Sequence, residues 1–133
     1  MSNRLQLEGG RPLESRFGYC RVIRIDNPKS HIFIAGNAST GIDGSVRSPR
    51  DYYSQTKYIL EELIGGYLGE IGASFVDVVR TRIYVVDLAR HWEEVGKAHG
   101  EVFGRIKPVV TMIGINALVH PDMVVEIDAD AVI

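Results

Sequence analysis

The sequence lacks most of what marks a specialised class. It has one cysteine, Cys20, so no internal disulfide can form, which fits a reducing compartment. Its formal net charge is only −2, which gives no electrostatic hold on nucleic acid or an anionic membrane. No apolar run reaches the ~20 residues that a membrane span needs. Met1–Gly10 has no apolar centre and is not a secretory signal. His31, His91 and His120 are scattered, and no Cys/His spacing supports a metal site. No metal and no cofactor are expected. The stretch Gly36–Arg50 (GNASTGIDGSVRSPR) is rich in Gly, Ser and Asn. It lacks the lysine and the glycine spacing of a phosphate loop. It reads equally as a functional loop or as a surface excursion. There is no internal repeat and no low-complexity segment. What remains is one soluble, cytoplasmic domain spanning residues 1–133, with 45% hydrophobic residues to form a core.

The end of the chain is its clearest part. Val109–Leu118 (VVTMIGINAL) carries no charge and is rich in β-branched residues, so it reads as a strand. Val119-His120-Pro121-Asp122 breaks it, since proline has no amide hydrogen. From Val124 to Ile133 the pattern alternates: Val124, Glu126, Asp128 and Asp130 against Val125, Ile127, Ala129 and Ala131. Period two is the signature of a strand, here with three carboxylates in a row on one face.

Earlier elements follow from the same rules. Met1–Arg16 is polar, holds Gly9-Gly10 and Pro12, and reads as an extended arm. Tyr19–Ile25 and His31–Ala35 read as strands, and the turn chemistry of Asp26-Asn27-Pro28-Lys29 makes them a hairpin. Ser48-Pro49 opens a helix that ends at Gly72, with an apolar stripe through Tyr52, Ile59, Leu60, Leu63, Ile64 and Leu68. Gly65-Gly66 weakens it and allows close packing. Phe75–Val86 is a strand with Arg80, Arg82 and Tyr84 on one face, together with Val76 and Val78. Asp87 caps a second helix over Leu88–Gly104, buried along Leu88, Trp92, Val95, Ala98 or His99, Val102 and Phe103.

This order is α+β, a mixed sheet with two helices on one face. Two helices cannot cover both faces. The second face would expose Val124, Glu126 and Asp128 beside Arg80, Arg82 and Tyr84, and such part-apolar surfaces mark interfaces. Symmetric self-association, with an Arg–carboxylate network across the seam, is the economical solution.

The ββαβαββ order, the segment VVRTRIYVVDL, the helix HWEEVGKAHGEVFG, the KPVVTM entry and the ending VVEIDADAVI resemble the RidA family. It is also called the YjgF or endoribonuclease L-PSP family. The likeness runs from about Gly18 to Ile133. It implies a chorismate-mutase-like fold and a homotrimer with small-molecule clefts between subunits. It also implies a chemistry: members hydrolyse reactive enamines and imines such as 2-aminoacrylate to keto acids and ammonia. Some carry the label of endoribonuclease or translation inhibitor, an RNA-directed reading that the acidic balance disfavours.

The family's deaminases place an arginine two residues after the proline that opens the penultimate strand, where a guanidinium pairs with the substrate carboxylate. Here that position is Val110. Glu126 matches the family glutamate that places the attacking water, and is the candidate catalytic residue. Tyr19 matches the family tyrosine, although Gly18 stands for the usual proline and Arg21 for the usual glutamine. Gly36 matches the glycine that closes the second strand. Tyr19, Gly36, Val110 and Met112 are the candidate ligand-binding residues. The reading is a trimer that binds a small metabolite and lacks classical deaminase activity. The alternative is a deaminase that uses another cation, such as Arg82 or Arg105.

Bland roles compete with these. Glu126 reads equally as a seam carboxylate paired with Arg80 or Arg82. Asp128 and Asp130 face solvent or the seam. His99 reads as a packed or half-exposed histidine, and Cys20 as a small buried hydrophobe.

Overall fold

The computed structural model describes residues 3–133. Its elements run β1 (Asn3–Leu7), α1 (Pro12–Phe17), β2 (Val22–Asp26), β3 (His31–Ala38), α2 (Tyr52–Tyr58), a π-helical turn (Ile59–Ile64), α3 (Gly65–Glu70), β4 (Val78–Val86), α4 (Leu88–Phe103), β5 (Val109–Ile115) and β6 (Val125–Val132). The architecture is α+β, as the sequence implies, with one four-stranded mixed sheet ordered β3-β6-β4-β5. Among the described residues no helix is long and apolar enough to cross a membrane.

The alternation of β6 appears as read from Val125 onward. Val124, expected on the carboxylate face, precedes the strand and is buried in the core instead, its amide donating to Gln55 Oε1 at 3.0 Å. Val125, Ile127, Ala129 and Ala131 are buried on the helix side, while Glu126, Asp128 and Asp130 are half-buried on the other. Against the helix side pack Ile59, Leu60, Ile64 and Leu68 of the long helical segment and Val95 and Phe103 of α4, all fully buried. Each such side chain contributes about 1.5–3 kcal/mol through its removal from water. These contacts decide which sheet face carries the helices.

The N-terminal arm is not extended throughout. Residues 3–7 form a strand paired antiparallel with β2, and Pro12–Phe17 is a helical segment. Met1 and Ser2 of the expected arm lie outside the described residues. Distant carbonyls hold the arm down: Gln6 Nε2 donates to Ile106 and Lys107 at 3.0 and 2.7 Å, and Arg4 Nη1 to Val76 at 2.9 Å.

The expected hairpin of β2 and β3 does not form. β2 pairs with β1, and β3 with β6. The turn keeps its chemistry, with Asn27 at φ 51°, but its amides are taken. Those of Lys29 and Ser30 donate to the carbonyl of Ile133 at 2.7 and 3.0 Å. β5 and β6, neighbours in sequence, are separated by β4, to which β5 runs parallel.

Three local readings also shift. The long helical segment is capped by Asp51, whose side chain accepts from the Ser54 amide, because Ser48 and Arg50 adopt positive φ. Asp87 sits at φ 55° and makes no side-chain cap hydrogen bond to α4. In β4 an irregularity between Val78 and Arg80 turns Val78 into the core, away from Arg82 and Tyr84. Gly65 does allow close packing, since a β-carbon there would stand 2.9 Å from Phe75 Cζ.

Candidate functional site

The residues singled out from the sequence gather at two places, on opposite faces of the sheet. β5 pairs Val110 with Thr81 and Met112 with Ile83, so both point to the helix side. Tyr19 reaches them because α1 stops at Gly18, which adopts φ 70°. A β-carbon at Gly18 would stand 2.8 Å from the Phe103 backbone. Proline, fixed near φ −65°, cannot take that conformation, which explains why it is absent here. The Cys20 amide then donates to the Pro108 carbonyl at 3.2 Å and docks the segment beside β5.

Tyr19, Val110 and Met112 thereby share a cavity of about 440 Å³. Phe17 and Trp92 add an aromatic wall, meeting edge to face with centroids 5.9 Å apart. Arg21 alone carries a charge among the described residues that line it. Its Nε donates to Glu14 Oε2 at 3.1 Å, and its guanidinium lies 5.3 Å from the Tyr19 ring centroid. Glu14 is buried and also accepts from the amides of Gly9 and Arg11, at 2.6 and 3.1 Å. Burial pushes its pKa up; those two amides and Arg21 outweigh this and hold it below the ordinary carboxylate value.

Glu126 and Gly36 come together on the other face. Glu126 stands opposite Tyr84 and Ala38. A β-carbon at Gly36 would lie 2.6 Å from Glu126 Oε2, so only glycine leaves the carboxylate its place. Glu126 does not pair with Arg80 or Arg82. The register gives Arg80 to Asp130 at 2.7 Å and Arg82 to Asp128 at 3.0 Å, and the Tyr84 hydroxyl donates to Asp128 at 2.9 Å. The Asp128 hydrogen bond holds the Arg82 pKa above its usual value. Among the described residues Glu126 has no side-chain hydrogen bond or ion pair, and it is half-buried.

The two cations named as substitutes do not reach the cavity. Arg82 is on the far face, and Arg105 does not line the cavity. The Arg–carboxylate network lies within one chain. His99 and Cys20 are buried and packed, as their bland readings held. The sequence reading missed Arg21 and Phe17 as cavity residues and took Trp92 as core. The one available signal was arginine at position 21 in place of the family's glutamine.

A single mixed sheet with helices on one face, and a ligand-sized apolar cavity where α1, α4 and β5 meet, define a class of small α+β protein. The family model described as Endoribonuclease L-PSP matches residues 11–133. A crystal structure from Mycobacterium tuberculosis, of the YjgF/YER057c/UK114 family, is 40% identical with a TM-score of 0.67, covering 98% of this chain and 100% of that one. The Rid-family protein YyfB of Yersinia pestis is 25% identical with a TM-score of 0.86, over 98% and 99% of the two chains. A RutC family protein of Pyrococcus abyssi is 30% identical over 113 residues, 85% of this chain and 84% of its own. The chain belongs to the endoribonuclease L-PSP family, the RidA/YjgF family.

Proposed function

We propose that the protein is a cytoplasmic homotrimer whose clefts between subunits bind a small metabolite, and that it lacks classical 2-imino acid deaminase activity. The observation that carries this is Val110. An aliphatic side chain lines the cavity at the position that matches the family's substrate-binding arginine, and a valine cannot pair with a carboxylate. The division of the candidate residues supports the intersubunit cleft. Tyr19, Val110 and Met112 form one wall, while Gly36 and Glu126 stand on the opposite face of the same sheet. A second copy offering its Glu126 would complete the pocket, with that carboxylate free to orient water or a polar ligand group.

Phe33 supports the assembly. It is 79% exposed beside Asp130 on the sheet face that has no helices, an expensive place for an aromatic ring in a lone chain. Light scattering tests the trimer. Mixing the protein with freshly generated 2-aminoacrylate and following pyruvate tests the chemistry, and no acceleration over buffer is expected. A metabolite panel read by thermal shift tests binding, since a ligand that favours the native state raises the melting point. No shift across a broad panel would count against the binding role.

A further inference from the structure

We propose that Arg21 makes this cavity a site for amphipathic carboxylates: the carboxylate meets the free end of the guanidinium, and an aromatic or branched tail lies against Val110, Met112 and Trp92. This rests on the reading of the cavity as a ligand site and goes beyond it by naming the ligand's class and its anchor.

The cavity, about 440 Å³, falls within the ~300–1,000 Å³ of small-ligand sites. Its walls are apolar and aromatic, so an apolar group gains by entering. Its one charged lining residue among those described is a guanidinium held from two sides. Glu14 takes Nε, and the Tyr19 ring lies beside the guanidinium. Both Nη groups have no hydrogen-bond partner among the described residues. They form the edge that accepts a carboxylate side-on, through two parallel N–H···O bonds.

The geometry around Arg21 is built rather than incidental. Gly9 gives Glu14 its amide, and a β-carbon there would stand 2.6 Å from Glu14 Oε2 and 3.0 Å from Arg21 Cγ. A side chain fixed before the ligand arrives loses little entropy on binding. Glu14 is buried and saturated by its donors, so it does not compete for the Nη edge. No acidic residue lines the cavity among those described, so an entering carboxylate meets no repulsion from its walls.

Trp92 is the only tryptophan in the chain and stands in the cavity wall, so its fluorescence reports occupancy directly. The test is titration of the whole protein with phenylacetate, 4-methyl-2-oxopentanoate and uncharged phenylacetamide, followed by Trp92 emission and by calorimetry. The carboxylates are expected to saturate, with phenylacetamide binding about tenfold more weakly or worse, the step set by a charge-assisted bond. Arg21→Gln is expected to cost the carboxylates about tenfold and leave the amide unchanged. Arg21 is partly exposed, so the variant is expected to fold. Arg21→Lys, which keeps the charge and loses the planar fork, gives the same comparison with a smaller loss. If amide and carboxylates bind alike, or Arg21→Gln changes nothing, the anchor is overturned while the cavity remains a ligand site. If none of the three binds, the ligand-site reading falls with it.

Discussion

His99 donates from Nδ1 to the carbonyl of Phe17, 2.6 Å away, across the junction of α4 and α1. A carbonyl only accepts, so Nδ1 carries the proton. Nε2 is then left to accept from the Thr81 hydroxyl at 2.9 Å. The ring is buried and ties β4, α4 and the wall of the candidate cavity to one another. Burial pushes its pKa down from 6.5 to about 4, against a smaller opposing pull from the Phe17 carbonyl.

Acid stability follows from that shift. A histidine whose folded pKa is depressed favours folding fully above its unfolded value. That contribution drains as pH falls from about 6.5 towards about 4. At ~1.4 kcal/mol per unit, roughly 2 kcal/mol should be gone between pH 7 and pH 5. Glu14, also held low, loses its share only below the ordinary carboxylate value, so the two windows separate. Denaturant unfolding at pH 7, 6 and 5 measures the slope, and the imidazole nitrogen shifts of His99 report its protonation directly. Equal stability at pH 7 and pH 5 would contradict the buried neutral ring.

Two glycine substitutions should move stability in opposite directions. A β-carbon at Gly96 would stand 2.3 Å from Phe17 Cε2. Gly96→Ala therefore pushes that ring off α4 and into the cavity, at a cost of roughly 1–3 kcal/mol. Gly66 lies in α3 and has nothing within 4 Å. Gly66→Ala should stabilise by roughly 0.5–1 kcal/mol, as expected for an open helical site. Thermal melts of both variants check the pair. A Gly96→Ala protein as stable as the parent would mean that α1 does not seat there.

How much of this was legible depends on the range of the interaction involved. The faces of β6 follow from alternation alone, and the structure keeps them. The turn at Asn27 was legible as a turn. Its outcome was not, because the groups that capture its amides belong to Ile133, at the other end of the chain. The strand at residues 3–7 hides for the same reason, since Gln6 finds its carbonyls at Ile106 and Lys107. Ser48 and Asp51 are both good caps, and only the positive φ at Ser48 and Arg50 decides between them. Val110 and Met112 could be placed through the family resemblance. Arg21 could not, because periodicity gives a side chain's face and says nothing of what stands opposite.

Phe33 and Asp128 bear differently on folding and assembly. Phe33 is exposed in the single chain, so Phe33→Glu should leave the melting of an isolated subunit nearly unchanged. If the helix-free face closes on copies of itself, the same change should break the trimer, read as a fall in light-scattering mass. Asp128 takes Arg82 and Tyr84 on that face. Both hydrogen bonds are part-buried and made to a charged group. Asp128→Asn, which keeps an acceptor for them, should therefore cost the lone chain roughly 1–2 kcal/mol and weaken assembly as well. Retention of the full trimer mass by both variants would place the interface elsewhere.

Val110→Arg tests whether the valine accounts for the proposed lack of deaminase chemistry. The position faces the cavity from β5, beside Met112 and across from Tyr19 and Trp92. An arginine there enters an apolar space with room for its stem, and its charge would lie near that of Arg21. Two guanidinium groups in one cavity repel, so some loss of stability is expected, roughly 1–2 kcal/mol for a part-exposed site. The gain is a cation on the wall where the family's deaminases hold their substrate carboxylate. If the proposed assembly brings Glu126 of a neighbouring copy to the cavity to orient water, the variant should release pyruvate from 2-aminoacrylate at least about tenfold faster than the parent, which corresponds to ~1.4 kcal/mol of transition-state stabilisation. Val110→Arg paired with Glu126→Gln should return to the parent's rate. If Val110→Arg alone folds, assembles and stays inert, then the missing guanidinium does not account for the proposed lack of deaminase activity. Its cause would then have to lie with Gly18 and Arg21, the other two departures from the family pattern beside Tyr19.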